Sequence, residues 1–342
     1  MVRTYHYRIK DSSVAPQLTP LARAVNQVWN FCNESQEHAL RWNQRWPTGF
    51  DLQKLTAGCS QELGLHAQTV QAVCEEYATR RKHAKKRKLR WRGKRALGWI
   101  PFKAAGVKVI DDTVTYAGHT FRFWKSRAIP GTIKMGNFAQ DARGRWYVNF
   151  VCEVADEAPT TGTKQIGIDL GLKTLATCSD GRKIEAPRWY RHQQRRIAEH
   201  QRKKRSRQAK NLHARIANRR KDFLHKASDR LTKECELIVV GDVGSARLAK
   251  TNMAKSVNDA GWAMFRHLLE YKAMARKVVY REVSERFSTQ TCSDCGAIGG
   301  PKGREGLGIR EWVCGECGAI HDRDVNAAMN ILRMGHHTLA LK

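Results

Sequence analysis

KQIGIDLG, residues 164–171, reads as an apolar strand that ends on an acid and a glycine. TLATCS (174–179) follows after a tight turn as a second strand, and RKIEA (182–186) as a third. Residues 188–233 carry a helical pattern, as one long helix or two. LIVVGDV (237–243) is a buried strand, NDAGWAMFRHLLEYKAMARK (258–277) a helix and VVYREVSE (278–285) another strand. A last helix is expected from about residue 323.

Three early strands, a long helix, then strand, helix, strand, helix is the order of an RNase H-like α/β fold. Toward the N-terminus, ADEAPTTGTK (155–164) reads as a linker, rich in turn formers and poor in apolar residues. Between residues 105 and 155, VKVIDDTVTYAGHTFRFW and RWYVNFVCEV are strand-like. VRTYHYRI (2–9) alternates as a first strand, so a β-rich unit begins there, is interrupted by helices and resumes near residue 100. In the interruption, Thr19 is the expected N-cap of a helix with Pro20 at its first position. Leu21, Val25, Val28, Trp29 and Cys32 then recur at helical spacing, and residues 66–84 read as another helix.

The chain has 342 residues, enough for two or three domains with cores of their own. Its 62 Lys and Arg oppose 32 Asp and Glu, a net charge of +30. A compact body with that surplus repels itself unless it meets a polyanion, and nucleic acid is the first candidate. A membrane surface fits less well, because the basic runs lack a strongly apolar opposite face. One concentration is RRKHAKKRKLRWRGKR (80–95), with Arg80, Arg81, Lys85, Lys86, Arg87, Lys88 and Arg90 around Trp91. The other lies between 191 and 233, where sixteen Lys and Arg stand against three acids; Arg202, Lys203, Lys204, Arg205 and Arg207 are its densest part. Both are expected to pair with phosphates. No apolar run reaches transmembrane length and Met1 to Lys10 is no signal peptide, so a cytoplasmic setting is expected.

Cys292-Ser-Asp-Cys295 and Cys314-Gly-Glu-Cys317 are eighteen residues apart. Two such pairs bring four thiolates to a tetrahedral Zn²⁺, and four sulfur ligands close its shell, so the ion is expected to be structural. Gly296 and Gly318 follow each pair, where a knuckle backbone needs a permissive residue. Cys32, Cys59, Cys74, Cys152, Cys178 and Cys235 have no such spacing and read as reduced thiols, mostly buried.

A nuclease that uses two divalent ions needs carboxylates converging from separate elements, and Mg²⁺ or Mn²⁺ suits oxygen ligands. Asp169 ends the first strand; alone it is equally well a turn residue. Asp324, in HDRDVNAAMNI, stands at a helix start, with Asp322 available as the cap.

GIDLGLKTLATCSDG (167–181), DFLHKASDRL (222–231), DAGWAMFRHLLEYKA (259–273), STQTCSDCG (288–296) and HDRDVNAAMNI (321–331) together resemble TnpB, the transposon-encoded RNA-guided nuclease of OrfB type. The resemblance covers residues 164–335 by motif and the first half only by layout. It implies a RuvC nuclease core of RNase H-like fold (161–286), a zinc ribbon inserted at 287–320, and a last RuvC helix and tail (321–342). Before them it implies a β-barrel-like wedge domain in two parts (1–14 and 91–160) carrying a helical recognition insert (15–90). It further implies a guide RNA and double-stranded target DNA as partners, with neither membrane nor small-molecule substrate. By motif Asp169 matches the first RuvC aspartate and Asp324 the last. The middle acid departs from the family pattern, because Gly241 occupies the usual glutamate position in IVVGDV. Glu285, at the end of the neighbouring strand, is the favoured replacement; Asp242 and no third acid remain open. Glu282, three residues earlier, has the opposite parity and reads as a surface charge. The leading expectation is an RNA-guided DNA endonuclease. Its rivals are a nuclease-impaired RNA-guided DNA binder and a guide-independent transposase of the same fold.

Overall fold

The computed structural model describes residues 1–10, 14–85, 89–244, 248, 250–303 and 305–340. They form two compact units, Met1–Ala155 and Asp156–Lys342. In chain order the first contains β1 (Val2–Arg8), α1 (Val14–Arg41), α2 (Gly49–Leu55), α3 (Cys59–Glu62), α4 (Ala67–Ala84), β2 (Trp99–Lys103), β3 (Lys108–Ile110), β4 (Thr113–Tyr116), β5 (His119–Arg122), β6 (Thr132–Gln140) and β7 (Trp146–Glu153). Four strands pair antiparallel in the order β1-β7-β6-β2, and three more in the order β3-β4-β5. The helices interrupt the sheet between β1 and β2. One core of aromatic and aliphatic side chains, including Phe102, Phe121, Phe138 and Phe150, joins strands to helices.

Helix α1 begins earlier than its proline signal says. Thr19 and Pro20 lie inside it, because Val14 and Leu18 are buried on the core side. Burying two such side chains stabilises by roughly 1.5–3 kcal/mol each, which offsets the ~3 kcal/mol cost of an interior proline.

The second unit contains β8 (Lys164–Leu170), β9 (Thr174–Cys178), β10 (Lys183–Glu185), α5 (Trp189–Arg202), α6 (Ser206–Glu234), β11 (Cys235–Asp242), α7 (Ala254–Ala260), α8 (Trp262–Ala275), β12 (Val279–Ser284), β13 (Glu311–Val313), β14 (Ile320–Asp322) and α9 (Arg323–Ala340). Five strands make a mixed sheet in the order β10-β9-β8-β11-β12. The first three alternate in direction, whereas β8, β11 and β12 run parallel. Their C-terminal ends, and that of β10, therefore open on one rim, where ligands of α/β sheets bind. Leu224 and Leu231 of α6 pack with Phe265 and Leu269 of α8 on one face of the sheet. On the other face, Ile331 of α9 packs with Leu237, Val239 and Val283. Covered on both sides, β11 is buried at every residue from Leu237 to Gly241, which is why LIVVG is apolar without alternation.

The helix expected over 258–277 is two helices. Gly261 breaks it in a left-handed conformation (φ +74), and a Cβ there would stand 2.9 Å from Cδ of Arg220. The break turns Trp262 inward, where its Nε1 donates to the Gly171 carbonyl at 3.1 Å.

Candidate active site and metal centre

Asp169 lies at the rim end of β8, Glu285 one residue past β12, and Asp324 in the first turn of α9. Each position follows from local structure. Asp169 pairs in register with Thr177, so its direction is fixed by the β8–β9 ladder. Asp322 caps α9: its Oδ1 accepts from the Asp324 and Val325 amides, both at 3.0 Å, while Lys183 holds its other oxygen at 2.6 Å. That leaves the Asp324 carboxylate out of the cap. Its Oδ2 instead accepts from Nη1 of Arg310 at 3.0 Å. The arginine is nearly half exposed, and such a pair is worth at most about 1 kcal/mol. It orients Asp324 but is too weak to compete with a divalent ion.

Gly241 explains how Glu285 enters. A Cβ at 241 would stand 2.5 Å from Oε1 and 2.6 Å from Cγ of Glu285, and 2.9 Å from Cδ1 of Ile331. The glutamate side chain therefore fills space that any other residue on β11 would occupy. Its Oε1 is buried and has no hydrogen-bond partner among the described residues. Asp242 points elsewhere: it is half exposed, and its Oδ1 accepts from Arg266 at 2.8 Å and from the Gly244 amide at 3.0 Å. Glu282 shares the same Arg266 at 2.9 Å. We predict that Gly241→Ala displaces Glu285, costs about 1–3 kcal/mol of stability as an overpacking change, and cuts metal-dependent activity sharply. Thermal melts and a plasmid-nicking assay check both parts.

The carboxylates feel one another. Burial, and then the charge of Asp324, pushes the Asp169 carboxyl up to about 7. Burial, followed by the charges of Asp169 and Asp242, pushes Glu285 up to about 8. An acceptor oxygen without a donor, in a set of mutually repelling acids, is what a divalent cation would relieve. Among the described residues no carboxylates gather as tightly as the four cysteines, whose ligand atoms all lie within 4.8 Å of one another. Both acids ionise near pH 4 when unfolded. In the metal-free fold they therefore stabilise fully below that pH, and the contribution is lost as pH rises through about 7 and 8. The melting temperature without divalent ions should fall from about pH 5 to about pH 9 relative to Asp169→Asn/Glu285→Gln, and Mg²⁺ should shrink the difference.

Cys292, Cys295, Cys314 and Cys317 come together on two matched knuckles. The Gly296 and Gly318 amides donate to the Cys292 and Cys314 carbonyls at 3.0 and 2.9 Å, and both glycines have positive φ. The Cys292–Cys317 and Cys295–Cys314 sulfur pairs are each 3.7 Å apart. A tetrahedron with Zn–S bonds near 2.3 Å has edges of about 3.8 Å, so Zn²⁺ fits. His321 lies tilted against Trp312, with ring centroids 4.8 Å apart, and brings its Nε2 to 3.0 Å from the Cys292 sulfur. Asn326 and Asn330 tie α9 to the segment entering this module: Nδ2 of each donates to the Thr291 carbonyl, at 2.8 and 2.7 Å. These asparagines and Arg310 escaped the sequence reading, although the paired Asn in NAAMN was a visible signal.

The basic residues divide. Arg202, Lys203, Lys204, Arg205 and Arg207 are all exposed at the turn between α5 and α6, which pack together through Ile197, Leu212 and Ile216. Arg80, Lys85 and Arg90 are exposed, and Trp91 is half exposed. Arg81 is a correction to the expected phosphate contacts. It is buried, its guanidinium bonds Gln36 and, at 2.8 Å, the Pro47 carbonyl, and it lies over the rings of Tyr77 and Trp46. Helical spacing turns it inward between exposed neighbours. Lys86, Arg87 and Lys88 lie outside the described residues. The six remaining cysteines are free thiols, all buried except the half-buried Cys59.

The α/β fold is similar to that of a solved Cas12f1 structure. The cryo-EM structure of a Cas12f1-sgRNA-target DNA complex superposes with a TM-score of 0.61 at 12% identity, covering 94% of this chain and 83% of that one. Residues 149–252 match the family described as "Probable transposase", and residues 262–331 the "Cas12f1-like, TNB domain". A putative RNA-guided DNA endonuclease of Streptomyces pristinaespiralis is 40% identical over 215 residues, 58% of this chain and 52% of the relative. The putative RNA-guided DNA endonuclease InsQ of Escherichia coli (strain K12) is 28% identical over 248 residues, 64% of this chain and 61% of its own. The matched region thus spans between half and two thirds of these relatives. TnpB-like protein L79 of Acanthamoeba polyphaga mimivirus is 30% identical over 141 residues, 39% of this chain and 26% of that protein. By these matches the chain is similar to TnpB-type proteins over its second half.

Proposed function

We propose that the chain is an RNA-guided DNA endonuclease whose second unit is a RuvC nuclease of RNase H-like fold with an inserted zinc ribbon. The observation that carries this reading is the buried, donorless Oε1 of Glu285, in space that Gly241 leaves open, on a carboxyl that the charge of Asp169 helps to raise. Relatives named as RNA-guided DNA endonucleases support it. Asp169, Glu285 and Asp324 hold the catalytic ions, and the four cysteines hold a structural Zn²⁺. Two bound Mg²⁺ or Mn²⁺ ions would supply an activated water and neutralise charge at the leaving oxygen. Arg310 sets the Asp324 carboxylate, and Arg266 keeps Asp242 and Glu282 occupied. The exposed basic turn between α5 and α6, with Arg80, Lys85 and Arg90, holds phosphates of a guide RNA and target duplex without reading sequence. The first unit, as a β-barrel-like wedge with a helical insert, positions the target DNA.

Sequencing the nucleic acid that copurifies with the protein tests the guided reading. A defined RNA species, visible as high absorbance at 260 nm, is expected. Protein free of nucleic acid would favour a guide-independent transposase, and a defined RNA with no Mg²⁺-dependent cleavage would favour a nuclease-impaired binder.

A further inference from the structure

A cavity of about 510 Å³ opens on the second unit, within the range of small-ligand sites. One wall is α6, through Arg220, Phe223 and Leu224, and the others come from three places where the chain leaves the carboxylate rim of the sheet. Leu172 and Lys173 follow β8, Ala186 to Arg191 follow β10, and Lys255 and Ser256 lie in α7, after β11. The cavity therefore shares its rim with Asp169, three residues before Leu172.

The lining combines rings and positive charge. Trp189, Tyr190 and Phe223 contribute aromatic surface, with Trp189 set edge-on to Phe223 at 5.6 Å. Lys173, Arg188, Arg191, Arg220 and Lys255 are the cations, and Asp259 is the one acid among the described lining residues. Asp259 is already committed. It is 7% exposed, caps α5 by accepting from the Tyr190 and Arg191 amides at 3.1 and 3.3 Å, and pairs with Arg220 at 2.8 Å. The helix terminus and one cation are thereby used up internally, and among the described residues no acid pairs with the other four cations, of which Lys173, Arg191 and Lys255 are exposed. Arg188 adopts a left-handed backbone (φ 45) and its Nη2 reaches the Leu172 carbonyl at 3.3 Å, joining two walls.

We propose that this cavity holds one unstacked nucleotide of a single DNA strand led to the carboxylates, its base against Trp189, beside a Tyr190 ring already stacked on His213, and its flanking phosphates on Lys173 and Lys255. Flat rings bounded by cations suit a base with phosphates on either side, and stacking of this type is tolerant of sequence. The assignment rests on the nuclease reading only for which strand fills the cavity; nucleotide binding itself does not need it.

The test uses the full-length protein with Ca²⁺ in place of Mg²⁺ and a short single-stranded DNA carrying 2-aminopurine at successive positions. Quenching confined to one part of the strand is expected, and it should disappear in Trp189→Leu. Lys173→Ala/Lys255→Ala changes exposed residues and serves if Trp189→Leu fails to fold. It should bind the strand about tenfold more weakly and flatten the salt dependence by about 1.4, the slope of two phosphate contacts on a single strand. Unchanged quenching in Trp189→Leu, or an unchanged salt slope in the lysine variant, overturns the proposal. So does dAMP competing at the same concentration as the oligonucleotide, which would make this a free-nucleotide site. If Asp169→Asn still cuts DNA while the cavity variants lose the signal, the nuclease reading fails and the cavity assignment stands; retained signal in the cavity variants with an inactive Asp169→Asn sinks the cavity alone.

Discussion

Glu285→Ala should abolish DNA cleavage while leaving nucleic-acid binding intact. Removing a ligand from a two-ion site forfeits several kcal/mol of transition-state stabilisation, so the loss should reach at least about a thousandfold, or ~4 kcal/mol. The same change should stabilise the metal-free fold near pH 9, where the wild-type protein carries a buried carboxylate held up to about 8. Near pH 3 that gain should vanish, because the carboxyl is then neutral in folded and unfolded chains alike. A residue kept for packing would show the reverse: destabilisation at both pH values and partial activity. Asp242→Ala should keep cleavage, since its carboxylate is half exposed and bound to Arg266. A fully active Glu285→Ala beside an inactive Asp242→Ala would reassign the middle ligand.

Cys314→Ser should remove zinc and most soluble protein. Structural zinc sites of four ligands contribute roughly 10–16 kcal/mol of apparent folding free energy in small modules, as much as the whole stability of a typical domain, about 5–15 kcal/mol. The module has little else to hold it: its buried apolar cluster is Cys292, Trp312 and Cys314. Its loss should propagate. The Thr291 carbonyl that receives Asn326 and Asn330 lies next to Cys292, and Arg310, which orients Asp324, sits just before β13. Any soluble fraction should therefore be low in cleavage as well as in zinc, measured by elemental mass spectrometry beside a nicking assay. A zinc-free, fully active variant would refute the structural role.

Much of this architecture was legible in the sequence because its strands announce themselves physically. LIVVG is covered on both faces and reads as a continuous apolar run, and the direction changes at 171–173 and 179–182 carry turn residues. Strand ends then located Asp169 and Glu285 at one rim, since parallel neighbours open on the same side. The glycine at 241 was visible as a departure, but its reason was not: the Glu285 side chain occupies its Cβ space only through the packing of β12 and α9. Propensity misplaced the start of α1, where buried Val14 and Leu18 outweigh Pro20, and missed the left-handed Gly261 inside a seemingly continuous helix. Charge density made Arg81 look like its neighbours, whereas one turn of helix carries it into the core. Arg310 meets Asp324 across a loop with no periodicity, so no pattern marked it.

On the proposed reading, Asp169, Glu285 and Asp324, from distant parts of the chain, share divalent ions at one rim of the sheet. Crystals soaked in Mn²⁺ and measured at the manganese absorption edge test it most directly. Two anomalous peaks bounded by Asp169, Glu285 and Asp324, absent from Asp169→Asn crystals, are the predicted result. Peaks only at Asp242 and Glu282, or none at the rim, would contradict it.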